Sequence, residues 1–412
     1  MPEFFHVLPP RQALQILLDR LCPLGEAEQT PTVQALGRVT AAAIMAREDL
    51  PAFPRSTVDG YSLRAADTFG ATEGLPAYFA VRGEVPMGQA AQISVSHDEA
   101  ALAHTGGVLA HGADAVVMLE HTHQANATTL EVARPVAPGE NVVQPGEDVR
   151  TGEEVLPAGH CLRAQDLGGL MALGITEVSV ARRPRVAILS LGDEIVPPEV
   201  QPGPGQVRDI NSYTLAAQVQ QAGGIPLLLG IAADNFDQQL QAARQGLAQA
   251  DMLIISAGSS VSVRDVTAQV IENLGAPGVL VHGLALRPGK PAIVGLAGGK
   301  PVLGLPGNPV SAMIVFSLLA RPLIYHLCGC RCPPEPPSVL ARLSQNIPSA
   351  AGREDYAPVL LKRDNGRQIA HPVFGKSSLI FTLMRADGLV MVPLDRGGLY
   401  SGEEVTVQLF QP

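Results

Sequence analysis

The chain has 412 residues, a formal net charge of −10 and no Lys/Arg-rich run, so nucleic acid and anionic membrane are poor partners for it. Hydrophobic residues make up 46% and the mean hydropathy is +0.18, which argues against bulk disorder and supplies about two to four packed domains. Tryptophan is absent and aromatics reach only 4%, too few for platforms that stack single-stranded bases.

Met1-Pro2-Glu3-Phe4-Phe5 lacks a basic n-region and a long apolar stretch, so no signal peptide is expected and the protein is read as cytoplasmic. Residues 11 to 46 read as helical, with Leu14, Leu17, Leu18 and Leu21 on one stripe, and Leu50-Pro51 ends that region. Residues 51–134 have the texture of a β-rich inserted domain, with short runs such as Ala115-Val116-Val117-Met118 between glycine turns. Turn signals then recur at Pro138-Gly139, Pro145-Gly146, Thr151-Gly152 and Pro157-Ala158-Gly159, which predicts a small meander of hairpins. Residues 1–50 and 135–182 would together form an N-terminal helical and hairpin domain, with a helix over 164–173 and a linker at Arg182-Arg183-Pro184.

Beyond Pro184 strands and helices alternate. Apolar runs at 186–191, 225–230 and 252–256 read as strands, and 212–222, 235–250 and 266–274 as helices. Short strands are expected near Val279, Ile293 and Val302. This is the pattern of a central doubly wound α/β domain over 183–328 with a largely parallel sheet. The apolar stretch 310–327 is interrupted by Arg321 and Pro322 and reads as a core helix, not a membrane span. A second linker, Pro333 to Pro337, leads into a small C-terminal β domain over 334–412. The expected fold class is therefore multi-domain, α/β plus β-rich.

Six segments could carry chemistry. Leu50 to Tyr61 is a rigid, proline-braced loop that fixes Asp59, either for chemistry or as a turn aspartate that satisfies its own backbone. His104-Thr105-Gly106-Gly107 is either an anion site or an ordinary glycine turn. Ser190-Leu191-Gly192-Asp193-Glu194-Ile195 places acidic residues directly after a buried strand, at the edge where α/β sheets bind ligands, either for a ligand or in a structural turn. In Ser256 to Asp265 small residues allow close backbone approach, and Asp265 could equally be the cap of the helix at Val266. Arg287-Pro288-Gly289-Lys290-Pro291 sets two cations on a stiff turn, either suited to phosphate or simply a solvated turn. Gly304 to Ser311 reads as strand, rigid turn and helix, presenting bare N–H groups to an anion. Loops after Leu191, Ser256 and Leu303 would all leave the carboxyl ends of strands.

Two further features are set aside. Cys328, Cys330 and Cys332 form Cys-x-Cys-x-Cys, which lacks the spacing of a usual zinc site and reads as a junction loop. Ala370 to Ser377 loosely matches a nucleotide P-loop, but Pro372 interrupts it and too little chain follows.

Taken in this order, the segments resemble the molybdopterin molybdenumtransferase (MoeA) family, which includes the C-terminal domain of gephyrin. The resemblance covers nearly the whole chain. It implies molybdenum insertion into adenylylated molybdopterin with release of AMP, dependent on Mg²⁺, with molybdate and the pterin nucleotide as substrates. It also implies a homodimer and a molybdopterin adenylyltransferase as a possible partner. Carried over by motif, Asp59, Thr105, Asp148, Glu194, Asp234 and Asp265 would be catalytic, with Glu194, Asp234 and Asp265 around the metal. Asp209, Ser259, Ser260, Arg287, Lys290, Gly307, Asn308, Arg353 and Ser377 would bind the substrate. The chain departs from the family's pattern where Gly283 and Arg287 stand for lysines, Lys376 for a glycine, and Ala257-Gly258-Ser259-Ser260-Val261 for a Gly-Gly stretch with a Val-Ser pairing. These departures leave room for a tungstate-preferring variant or for a cofactor-binding scaffold without insertion activity.

Overall fold

The computed structural model describes residues 7–257 and 261–410, with the backbone alone for 261–265. By its contacts the chain divides into two compact units: Met1–Ala42, Gly159–Arg163 and Val178–Pro412 in one, Ala43–Ala158 and Ala164–Glu177 in the other.

The smaller unit is built on a six-stranded mixed sheet. Its order is Ala115–Met118, Gly60–Leu63, Glu99–Ala103, Ala77–Glu84, Thr129–Val132, Thr122–Asn126. Its core is formed by Tyr61, Leu63, Phe79, Val117, Leu130 and Val132. The recurring turns after Pro138 do not fold into hairpins on themselves. Val142–Val143 pairs with Arg55–Ser56, and Glu154–Leu156 with Ile44–Met45. The turn chemistry was read correctly, but strands of two or three residues have too few bonds to choose a partner locally.

In the larger unit the first helix is only Pro10–Leu18, with Ala13 and Leu17 on its buried face. The helical reading to residue 46 fails because Pro23, Gly25 and Pro31 break the chain, and Ala27–Pro31 is a strand. The α/β sheet has the order Ile225–Ala232, Arg185–Leu191, Met252–Ala257, Lys300–Pro306, Ile293–Ala297, Pro277–His282. Its first four strands are parallel and the last two antiparallel. Fully buried Val186, Ile188, Ile254 and Leu303 pack one face, and Ala187, Leu189, Leu253 and Ile255 the other.

Two boundaries differ from the sequence reading. One helix begins at Val261 and runs to Leu274, so Asp265 is its fifth residue and not its cap. The Lys300–Pro306 strand includes Gly304, Leu305 and Pro306, so the turn shrinks to Gly307-Asn308. The helix Pro309–Leu327 is long and apolar enough to cross a membrane, but 67% of its apolar window is buried, with Phe316, Leu319 and Leu323 in the core. A π turn over Phe316–Ala320 lies just ahead of Arg321-Pro322, whose ring and missing N–H would break a regular ladder.

Strands Glu354–Asp364, Arg367–Pro372, Ser338–Leu343, Glu404–Leu409 and Gly388–Val392 close into a barrel, because the last pairs again with the first. The short strand Leu286–Arg287, from between two α/β strands, adds to the barrel in parallel with Glu354–Asp355.

Candidate functional site

The parallel strands of the α/β sheet set the level of the first cluster. Leu191 lies opposite Ala257, and Ala257 opposite Pro306, so three loops leave the sheet at one height, beyond the carboxyl ends. In the first loop Gly192 has φ 140°, and a Cβ there would lie 2.4 Å from Glu194 Oε2. Glycine is thus required for the Glu194 carboxylate to fold back. Asp193 Oδ1 accepts the Asp234 N–H at 3.0 Å, tying this loop to the one after Ile225–Ala232. Gln239, which is fully buried, donates from Nε2 to Ala233 O at 2.9 Å and to Asp234 Oδ1 at 3.5 Å. Glu194 and Asp234 therefore lie on loops at the carboxyl edge of the sheet, where they offer carboxylate oxygens. That hard-oxygen chemistry fits Mg²⁺, which takes one or two carboxylates together with substrate phosphates. Ser259 and Ser260 lie outside the described residues, as does the side chain of Asp265.

Asp209 is buried and its Oδ1 accepts the Ser212 N–H at 3.1 Å, at the start of the Asn211–Gln221 helix. Two residues after Asp209, Asn211 Nδ2 donates to Ser256 Oγ at 2.8 Å and to Gly307 O at 3.0 Å. Ser212 Oγ meets Ser190 Oγ at 3.0 Å. One helix start thereby fastens the ends of three strands. At the Gly307-Asn308 turn the expected row of bare N–H groups is interrupted. Pro309 has none, and Val310 N–H donates to Ser377 O at 3.2 Å.

Anion-binding capacity lies instead in a cleft of about 730 Å³ between the α/β layer and the barrel, within the larger unit. Arg287, Lys290, Arg353 and Lys376 line it, with Asn308 and Ser377. Gly289 is needed in the Arg287–Lys290 turn, since a Cβ there would lie 2.6 Å from Val315 Cγ2. Asp355, nearly buried in the cleft wall, accepts from Arg353 Nε at 2.8 Å and Nη2 at 3.3 Å, and from Arg287 Nη1 at 3.5 Å. The structure thus brings together Arg287, Lys290, Asn308, Arg353 and Ser377. Asp355 and Gln239 were missed, and the only signal for Asp355 was an acidic residue two positions after Arg353.

In the smaller unit Asp59 Oδ1 accepts the Thr105 N–H at 2.9 Å and its hydroxyl at 3.2 Å. Its bond is thus to a loop 46 residues away, not to its own turn. His104 Nε2 meets Glu84 Oε1 at 2.8 Å, and Nδ1 lies 3.9 Å from Asp59 Oδ1. The Thr105 N–H, then its hydroxyl, hold the Asp59 carboxyl below its usual range, with slight burial opposing and His104 assisting. Asp49 makes the same two bonds to Thr151, at 2.7 and 2.8 Å, so this geometry also serves to brace loops. Asp148 is exposed, and among the described residues no hydrogen bond or ion pair reaches its carboxylate.

None of the five cysteines is in a disulfide. Burial pushes the Cys328 thiol up to about 12 and the Cys330 thiol up to about 11. Among the described residues the one group spaced for a metal is Asp67, His97 and Asp98, none of which is among the candidate site residues.

Three family models match the chain: MoeA N-terminal region (domain I and II) over residues 8–174, probable molybdopterin binding domain over 187–326, and MoeA C-terminal region (domain IV) over 340–410. A molybdopterin molybdenumtransferase of Nostoc sp. is 33% identical, with 98% of this chain and 95% of that protein covered. A Bacillus subtilis protein of the same name is 30% identical, covering 94% of this chain and 90% of its own. The solved structure of a molybdopterin biosynthesis MoeA protein from Pyrococcus horikoshii is 32% identical with a TM-score of 0.86, covering 98% of this chain and 100% of that one.

Proposed function

This chain belongs to the MoeA family of molybdopterin molybdenumtransferases, and we propose that it transfers molybdenum from molybdate into adenylylated molybdopterin, releasing AMP. The observation that carries the reading is the cleft, where Arg287, Lys290, Arg353 and Lys376 gather in a chain of net charge −10. A concentration of cations against the overall charge suits a phosphorylated ligand.

In this reading the cleft cations and the Ser377 hydroxyl hold the phosphates, with Asn308 beside them. Glu194 and Asp234, with Asp265, would hold Mg²⁺, which would offset negative charge on the phosphates. On the smaller unit Asp59, kept ionised by Thr105, is assigned the part of a proton acceptor, and the exposed Asp148 is a second carboxylate for the same chemistry. The protein works as a cytoplasmic homodimer supplied by a molybdopterin adenylyltransferase.

The test is to mix the purified protein with adenylylated molybdopterin, molybdate and Mg²⁺, and to measure AMP together with pterin-bound molybdenum. Molybdate-dependent AMP release with metal on the pterin is the expected result. Tight pterin binding without AMP would instead make the protein a cofactor-binding scaffold, and a tungstate preference would appear on replacing molybdate in the same assay.

A further inference from the structure

We infer that Asp355 is a positioning residue for anion recognition, a part that rests on the reading of the cleft as the phosphate site. Its side chain is 8% exposed, against 62% for Arg287 and 36% for Arg353. The register of the short parallel pairing sets Arg287 directly opposite Asp355, and Arg353 lies two residues before Asp355, just ahead of the strand Glu354–Asp364. One carboxylate therefore engages two guanidiniums, one from the α/β layer and one from the barrel.

Two guanidiniums that share a ligand repel each other, and each long side chain loses rotamer freedom when it is fixed. Asp355 removes both costs before a ligand arrives. It also leaves donors free. Of the five N–H groups on a guanidinium, Arg353 uses those on Nε and Nη2 at Asp355, and Arg287 uses one on Nη1. The remaining N–H groups, with Lys290 and Lys376, suit two linked phosphoryl groups better than a single oxyanion.

The same carboxylate has an opposite effect, since its charge weakens the cationic field of the cleft. The two effects predict different signs, which makes the part played by Asp355 measurable. If it positions the arginines, D355N weakens polyanion binding. If it only lowers the local charge, D355N strengthens binding.

The experiment is calorimetric titration of the full chain with inorganic pyrophosphate, with orthophosphate alongside and a thermal melt for each variant. D355N is expected to weaken pyrophosphate binding about tenfold, with a smaller effect on orthophosphate. R353K keeps the charge but loses the fork, and is expected to weaken it similarly, with the double variant no worse than either single one. Unchanged or tighter binding by D355N overturns the inference, as does a lowered melting temperature with unaltered affinity. Should D355N not fold, R353K decides alone, and wild-type affinity in R353K overturns the inference. If the wild-type chain binds no pyrophosphate, the reading of the cleft falls and the inference with it; if it binds and the variants behave as wild type, only the inference falls.

Discussion

Asp59 and Asp251 show two uses of a carboxylate held below its usual range. The Thr105 N–H and hydroxyl keep Asp59 ionised well into acid. If its ionised form drives turnover, Thr105→Ala removes the hydroxyl bond and moves the acid limb of kcat/KM to higher pH. Asp59→Asn should lower kcat/KM about 100-fold on the plateau above the acid limb, with a smaller difference from wild type below it. An acid limb that stays in place in Thr105→Ala would separate Asp59 from the chemistry. Asp251 is structural. Burial pushes its carboxyl up, but the Arg182 fork at 2.9 and 3.0 Å and the Arg185 N–H outweigh that and leave it depressed. A depressed carboxyl contributes stability that is present above its unfolded value, about pH 4, and lost as pH falls through the folded one. Arg182→Met should therefore cost about 2–3 kcal/mol in urea unfolding at neutral pH, with a smaller difference from wild type below pH 3. Asp59, Arg287 and Lys290 were legible in the sequence because proline and glycine turns mark a side chain held in place. Asp355 was not, since its partner Arg287 is 68 residues away and only the folded barrel brings them together.

Strands and helices were legible where their pattern was long. The runs at 186–191 and 252–256 fall within observed strands that pair in register, whereas the strands Arg55–Ser56 and Val142–Val143 are too short to announce a partner. The helix predicted to residue 46 shows how far an apolar stripe can mislead once prolines intervene. Gly60 is an element-level constraint that only the folded sheet shows. A Cβ at Gly60 would lie 2.0 Å from the Val117 carbonyl oxygen. That oxygen belongs to a buried strand and cannot rotate away, so Gly60→Ala must part Gly60–Leu63 from Ala115–Met118. A loss of about 3 kcal/mol in chemical denaturation is expected, together with loss of turnover, because Asp59 immediately precedes the strand. Gly74→Ala is the control: nothing lies within 4 Å of its Cβ position, and it should melt like the wild type.

The alternation of β and α after Pro184 made the architecture readable, but not how the barrel joins it. The strand Leu286–Arg287 leaves the α/β layer to extend the barrel, and Tyr356, Leu383 and Leu389 of the C-terminal segment pack in the α/β core. Neither feature has a local signature: a two-residue strand is too short for periodicity, and the three side chains belong to a core assembled from distant segments. The cleft has the same composite origin, with Arg287 and Lys290 from one side and Arg353, Asp355, Lys376 and Ser377 from the other. Truncation after Pro333 therefore tests whether the two parts are energetically one body. It removes three buried side chains worth about 1.5–3 kcal/mol each and uncovers the apolar surface they covered. The shortened chain should melt roughly 10 °C or more below the full chain and lose pyrophosphate binding as well. A fragment that melts like the full chain would show that the barrel adds ligand contacts without supporting the sheet. A fragment that melts early yet still binds pyrophosphate would place the anion site on the Arg287–Lys290 turn alone.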